Sequence, residues 1–117
     1  MKLLIEDALN LVVEVMKKYG HNDDYAKIIG EHIIDCELRG LTYGGLARIV
    51  SITERLERTG APNNLVEIIH ETPVSARLDG HDNLGYVVAL KATEIAIEKA
   101  SKSGISLVGA NETWYTG

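Results

Sequence analysis

The hydrophobic period changes halfway along the chain, and this change constrains the fold more than any other sequence feature. Before Pro62, apolar residues recur at steps of three and four, which is typical of helices that bury one face. After Pro62, short β-branched runs flank a single helical stretch. We therefore predict an α+β fold, with a helical N-terminal region over residues 1–62 and a ββαβ region over residues 63–117.

Three helices are predicted in the helical region, and each ends at a glycine, namely Gly20, Gly40 or Gly60. Asn22 or Asp23 offers an N-cap for the second helix, and the third is predicted to begin near Gly45. The predicted inward positions are Ile5, Ala8, Leu9, Val12, Met16 and Tyr19, then Tyr25, Ile28, Ile29, His32, Ile33 and Cys36, then Leu46, Ile49, Val50, Thr53 and Leu56.

Strands are predicted in the second region over 65–70, 74–78 and 105–110, and a turn at Asp79-Gly80 is predicted to end the second strand. The helix over 84–102 carries apolar residues on two faces, so we expect it to be covered on two sides. A helical crossover would make the last strand parallel to another in a small mixed sheet, but the pattern leaves the pairing open. We expect the region to be an incomplete part of a larger domain, covered by a second subunit or by further sequence.

Composition excludes several classes of protein. Twelve basic against seventeen acidic residues give a net charge of −5, which argues against a nucleic-acid partner. The single cysteine, Cys36, cannot form an intramolecular disulfide, and apolar runs are too short to span a bilayer. Glu6 and Asp7 interrupt the apolar N-terminus, so no signal peptide is predicted and a cytoplasmic location is expected.

Two helical pairs allow a functional and a structural interpretation. His32 and Cys36 are four residues apart, a usable spacing for metal ligands, but they share the apolar stripe and no further ligands complete the set. We interpret them as core residues and predict no metal site. Glu37 and Arg39 are interpreted as a solvated ion pair.

Arg48 and the C-terminal segment are the candidate site residues. Arg48 lies near the start of a helix, where the dipole disfavours a cation, and either a bound carboxylate or a nearby acidic residue would compensate. Thr113, Trp114 and Tyr115 follow a predicted strand at the end where ligands collect in parallel sheets. The alternative is that both aromatic rings pack on the preceding helix. The chain is expected to stop in mid-element at Gly117.

Several sequence segments together resemble one family. The run Asp35-Cys-Glu-Leu-Arg-Gly-Leu-Thr-Tyr-Gly-Gly-Leu-Ala-Arg48 is similar to the A-D-L-R-G-V-D-S-H-G-x-x-R stretch of the type 2 malate/L-lactate dehydrogenases. Glu71-Thr-Pro-Val-Ser-Ala-Arg-Leu-Asp-Gly80 with Leu84-Gly85 resembles their E-T-P-A-x-A-x-x-D-G…L-G segment. The stretches 92–100 and 104–111 resemble A-M-x-x-A-I-x-K-A and G-V-x-x-V-x-x-N. The segments match in order over nearly the whole chain, which would cover about the first third of a typical member.

The resemblance implies an oxidoreductase that uses NAD or NADP, has a fold of non-Rossmann type and is commonly a homodimer. Its substrate would be a small 2-hydroxy, 2-keto or imino carboxylate, held by the position that matches Arg48. The cofactor would be bound mostly by sequence beyond these 117 residues, so the chain alone is expected to be inactive. A non-catalytic dimerisation or interaction module derived from the same fold is the alternative, supported by the short length and by the replacement of both family histidines, at Gly44 and Trp114.

Two departures affect the expected chemistry. The family's S-H-G is replaced by Tyr43-Gly44-Gly45, and its N-S-N-H-F-G by the segment 111–116, so Gly44 and Trp114 stand where the family has histidines. Reduction of a carbonyl needs a proton donor, and an indole can donate a hydrogen bond without titrating. Tyr43 is therefore a candidate donor, and the residues expected to shape the pocket are Tyr43, Thr113, Trp114 and Tyr115.

Overall fold

The computed structural model describes residues 2–115 and divides the chain into two compact units, Met1–Ala61 and Pro62–Gly117. The first unit contains α1 (Ile5–Lys18), α2 (Asp23–Leu38) and α3 (Arg48–Thr59). The second contains β1 (Glu67–Thr72), β2 (Ser75–Leu84), α4 (Gly85–Ser103) and β3 (Leu107–Trp114). The predicted α+β class and the ββαβ order are confirmed. The expected break at Gly117 lies outside the described residues.

The first two helices end in the same way, and each end satisfies orphan carbonyls. After α1, the amides of Gly20 and His21 donate to the carbonyls of Lys17 and Met16 at 3.0 and 3.1 Å. After α2, Gly40 and Leu41 repeat the pattern onto Glu37 and Cys36 at 3.1 and 2.9 Å. This is the paired 5→2 and 6→1 bonding of a Schellman motif. The Asn22 side chain accepts the Tyr25 amide at 2.8 Å, which confirms the predicted N-cap of α2.

The core of the first unit comes from one stripe of each helix. It comprises Ala8, Val12 and Met16 of α1, Ile29 and Ile33 with their neighbours on α2, and Ile52 and Leu56 of α3. The prediction for α3 was partly wrong, because Val50 is 61% exposed and Ile52 is fully buried in its place. The helix begins at Arg48 rather than near Gly45, since residues 42–47 form turns.

The sheet of the second unit has the order β1-β2-β3. β1 and β2 are antiparallel, and β2 and β3 are parallel, so the sheet is mixed as predicted. Ala76 and Leu78 of β2 are buried, as are Tyr86, Val87 and Val88 at the start of α4. These residues form the core of the unit.

Three predicted boundaries in this unit were wrong, most clearly at Asp79-Gly80. β2 does not end there but runs on to Leu84, because β3 supplies a parallel partner for its second half. The other two strands also end later than predicted, at Thr72 and at Trp114. The second apolar face of α4 is only partly covered within residues 2–115, since Tyr86 is buried but Ile97 is 65% exposed.

Candidate functional site

The segment before α3 positions two of the predicted site residues. Glu37 Oε1 accepts the Leu46 amide at 3.0 Å, which fixes the turn to the end of α2. A Cβ at Gly45 would lie 2.9 Å from Glu37 Oε1 and 3.1 Å from Glu37 Cα, so only glycine fits here without displacement. Glu37 therefore holds the turn, and the predicted Glu37–Arg39 ion pair was wrong.

Arg39 pairs instead with Asp35, one helical turn back, with 2.7 Å between Nε and Oδ2. Both side chains are more than half exposed, so the pair contributes little to stability. Arg39 therefore forms a solvated ion pair as predicted, but its partner is Asp35 and not Glu37.

Arg48 is the first residue of α3, and its amide donates to the Gly45 carbonyl at 2.9 Å. The side chain is partly buried, and the first turn of α3 carries no acidic residue. A helix N-terminus and a guanidinium both favour an anion, and the guanidinium can bind a carboxylate through two hydrogen bonds. Tyr43 lies in the same turn segment and is 71% exposed.

Thr113, Trp114 and Tyr115 lie at the carboxyl end of the β2–β3 pair in the second unit. The parallel register matches Asp79 with Asn111 and Asn83 with Thr113, so three residues of β2 stand opposite one of β3. This bulge contains two consecutive residues in the left-handed region, His81 at φ 50° and Asp82 at φ 62°. Left-handed backbone costs an L-residue roughly 1–2 kcal/mol, so neighbouring contacts must hold the bulge.

The polar atoms of the C-terminal candidates bond to this bulge. Thr113 Oγ1 donates to the Asn83 carbonyl and Trp114 Nε1 to the Asp82 carbonyl, each at 2.9 Å. The rings of Trp114 and Tyr115 lie against each other, with centroids 5.2 Å apart and planes tilted by 59°. The only hydrogen-bond donor of the Trp114 indole is therefore used inside the fold, and this side chain offers a ligand its apolar surface.

Sequence reasoning missed Glu37 as an acceptor and Asn83 as a buried residue. Asn83 is 2% exposed, and its amide donates to the carbonyls of Gly80 and Asn64 at 2.8 and 2.9 Å. The sequence marks Asn83 only by its place three residues after Gly80, the predicted end of a strand. A single sequence does not distinguish such a buried amide from a solvated one.

His32 and Cys36 contact each other as their spacing allows, with 3.5 Å between Nε2 and Sγ. Burial lowers the pKa of His32 below its ordinary 6.5, and the neighbouring Asp35 carboxylate offsets part of that shift. Over residues 2–115, no three His, Cys, Asp or Glu side chains are grouped so that they could hold a metal ion.

The comparisons with known proteins identify the family. Residues 4–117 match the family model described as malate/L-lactate dehydrogenase. The chain belongs to the malate/L-lactate dehydrogenase family. It is 35% identical to a malate dehydrogenase of Pyrococcus abyssi over 96% of its length, which is 31% of that relative. It is 32% identical to a malate/(S)-sulfolactate dehydrogenase of Methanothermus fervidus over 96% of this chain and 33% of the relative.

A solved structure of this family shares the fold. The sulfolactate dehydrogenase of Methanocaldococcus jannaschii superposes with a TM-score of 0.92 at 32% identity, over 100% of this chain and 34% of that one. The chain thus spans about a third of the length of the relatives it matches. None of the helices among the described residues is long and apolar enough to cross a membrane.

Proposed function

We propose that this chain forms the N-terminal part of an NAD- or NADP-dependent oxidoreductase that acts on a small 2-hydroxy, 2-keto or imino carboxylate. The family match over residues 4–117 carries the proposal. Relatives are named for malate and sulfolactate, and both molecules are small carboxylates, so the substrate class is consistent with a guanidinium at the start of α3.

In the proposed site, Arg48 anchors the substrate carboxylate through a bidentate pair. Within the second unit, Thr113, Trp114 and Tyr115 are proposed as substrate-contacting residues, with the Trp114 indole acting through its apolar face because its N–H donates to the Asp82 carbonyl. Tyr43 is the proposed proton donor, since its phenol hydroxyl is exposed and lies in the turn segment that leads into Arg48. The active unit is proposed to be a cytoplasmic homodimer.

The junction of β2 and α4 does not fit a dinucleotide. In α/β folds the diphosphate binds where a strand runs into a helix N-terminus, because main-chain amides are exposed there. Here a Cβ at Gly85 would overlap the carbonyl oxygen of Tyr115 and lie 2.9 Å from that of Trp114, so the chain itself covers the start of α4. We therefore propose no dinucleotide contact at this junction and assign cofactor binding to sequence beyond these 117 residues.

The test is an assay of the product of the complete natural reading frame with NADH and NADPH against pyruvate, oxaloacetate, sulfopyruvate and a cyclic imino acid. One substrate should be reduced, and Arg48→Ala should raise its KM about 30- to 150-fold, as expected for a lost charged pair worth about 2–3 kcal/mol. Arg39→Ala is the matched control, because it removes an exposed arginine at the end of α2, nine residues before Arg48. An unchanged KM for Arg48→Ala would remove this residue from the site.

A non-catalytic dimerisation or interaction module is the second candidate. It is favoured by the Trp114 indole, whose N–H donates to Asp82 and so cannot donate to a substrate. It is also favoured by large apolar side chains at the surface of the second unit, since Ile97 is 65% exposed and Ile105 and Leu107 are each 75% exposed. A product without reductase activity on any of the four substrates, but dimeric by analytical ultracentrifugation, would support the module and contradict the enzyme.

A further inference from the structure

Both donors of the buried Asn83 side-chain amide are used for hydrogen bonding. Its two amide hydrogens meet the carbonyls of Gly80, at the start of the bulge, and Asn64, in the segment before β1. A buried amide with both donors satisfied fixes its neighbours, because breaking either bond leaves a buried polar group without a partner. Asn83 therefore ties the bulge to a second part of the same unit.

The bulge that Asn83 holds has an unfavourable backbone conformation. His81 and Asp82 both have left-handed backbone, and the Asp79 carboxylate accepts the His81 amide at 2.8 Å at the other end. Left-handed backbone is uncommon for non-glycine residues, so two in succession need stabilising contacts from their surroundings. Asp79 and Asn83 thus hold the two ends of a strained stretch.

The same stretch presents the acceptors for the C-terminal candidates. The carbonyl of Asp82 accepts the Trp114 indole, and the carbonyl of Asn83 accepts the Thr113 hydroxyl. The direction of both carbonyls depends on the backbone conformation of residues 81–83. Whatever holds that conformation also sets where Thr113 and Trp114 lie.

We propose that Asn83 is a positioning residue: its buried amide holds the 80–83 bulge, and the bulge carbonyls fix Thr113 and Trp114 in the substrate pocket. The inference rests on the proposed function, because that function assigns these two residues to the pocket. The positional part can nevertheless be measured without substrate, since Trp114 is the only tryptophan of the chain.

The experiment compares Asn83→Ala with Asn63→Ala, which removes an exposed amide twenty residues earlier. Tryptophan emission of Asn83→Ala should move to longer wavelength and become more accessible to acrylamide, because the indole loses its fixed acceptor. Asn63→Ala should retain the wild-type spectrum. A wild-type spectrum for Asn83→Ala, with wild-type far-UV circular dichroism, would overturn the proposal.

A second variant separates positioning from simple loss of stability. Glycine adopts left-handed backbone without the side-chain penalty, so His81→Gly should reduce the need for the amide. Asn83→Ala combined with His81→Gly should therefore recover the wild-type emission. If Asn83→Ala acted only by leaving a cavity, His81→Gly would not fill that cavity and the emission would stay shifted. Should Asn83→Ala alone fail to fold, recovery in the double variant supports the proposal and a second failure contradicts it.

Kinetics then distinguish this inference from the proposed function. In an active longer protein, Asn83→Ala should lower kcat/KM by about tenfold or more, since small displacements of positioning groups are costly, and Asn63→Ala should not. If the wild type reduces none of the substrates, the proposed function fails while the emission results still decide the role of Asn83. Wild-type kcat/KM in Asn83→Ala, with shifted emission, would overturn the assignment to the pocket.

Discussion

The two candidate segments are held in place by different kinds of contact. The turn that leads into Arg48 is fixed through its backbone, by the Glu37 carboxylate on the Leu46 amide. The end of β3 is fixed through its own side chains, because Thr113 and Trp114 donate to the bulge of β2. Stability and substrate binding should therefore be separable at Arg48 and coupled at Thr113 and Trp114.

The largest expected effect is at Gly85, where a side chain would meet main-chain atoms. Gly85→Ala places a Cβ onto the Tyr115 carbonyl, and backbone cannot move aside as a flexible side chain can. We expect the free energy of unfolding of the second unit to fall by about 3 kcal/mol. Urea denaturation followed by Trp114 emission measures this unit directly.

The matched control for that variant is Gly109→Ala in β3. Apart from its two chain neighbours, no residue in the described part of the chain has a heavy atom within 4 Å of a Cβ at Gly109, so stability should change by less than about 0.5 kcal/mol. Equal losses for the two alanine variants would mean that the close approach of the β3 end to α4 does not hold the unit together.

Glu37 tests the backbone-held segment. Glu37→Ala removes the acceptor of the Leu46 amide and should cost about 1–2 kcal/mol, because the lost hydrogen bond has a charged acceptor. Glu37→Gln keeps an acceptor oxygen and should cost less than half as much. Helical circular dichroism in urea follows the transition, since most helical residues lie in the first unit.

Glu31→Ala, which removes an exposed carboxylate from the same helix, controls for the change in charge. If Glu31→Ala and Glu37→Ala had equal effects, the contact with Leu46 would contribute nothing specific.

Local features of the chain were predictable, and long-range ones were not. The helix ends at Gly20 and Gly40 and the Asn22 cap follow from short-range chemistry that is visible in the sequence. The end of β2 was wrong because Asp79-Gly80 has the composition of a turn, while the hydrogen bonds that continue the strand come from β3 about thirty residues away.

The candidate site shows the same division. The position of Arg48 near a helix start followed from the sequence, since glycines and a helical period surround it. The use of the Trp114 donor by Asp82, and the burial of Asn83, depend on the register of two parallel strands. Periodicity carries no information about such a register, so the sequence left open whether Trp114 and Tyr115 pack or bind.

Thr113→Val tests the coupling of stability and binding at the side-chain-held segment. The substitution keeps the shape but leaves the Asn83 carbonyl without its hydroxyl donor, so we expect a loss of about 1 kcal/mol in unfolding free energy. Thr93→Val, on the exposed side of α4, is the control. In an active longer protein Thr113→Val should change both stability and KM, whereas Arg48→Ala should change KM with little effect on unfolding. A Thr113 variant with altered KM and wild-type stability would show that stability and substrate binding are not coupled at this residue.

The smallest expected effect is a pH dependence that belongs to the first unit alone. Burial lowers the pKa of His21 below its ordinary 6.5, and the bond to the Met16 carbonyl offsets only part of the shift. Because the unfolded chain then binds the proton more readily than the folded one, stability is fully present above pH 6.5 and falls as the pH drops through the folded-state value. The pKa of His32 shifts in the same direction.

His21→Gln should flatten the acid limb of unfolding free energy against pH, and adding His32→Gln should flatten it further. An unchanged acid limb in the double variant would show that carboxylates, and not these imidazoles, set the pH dependence of the helical unit.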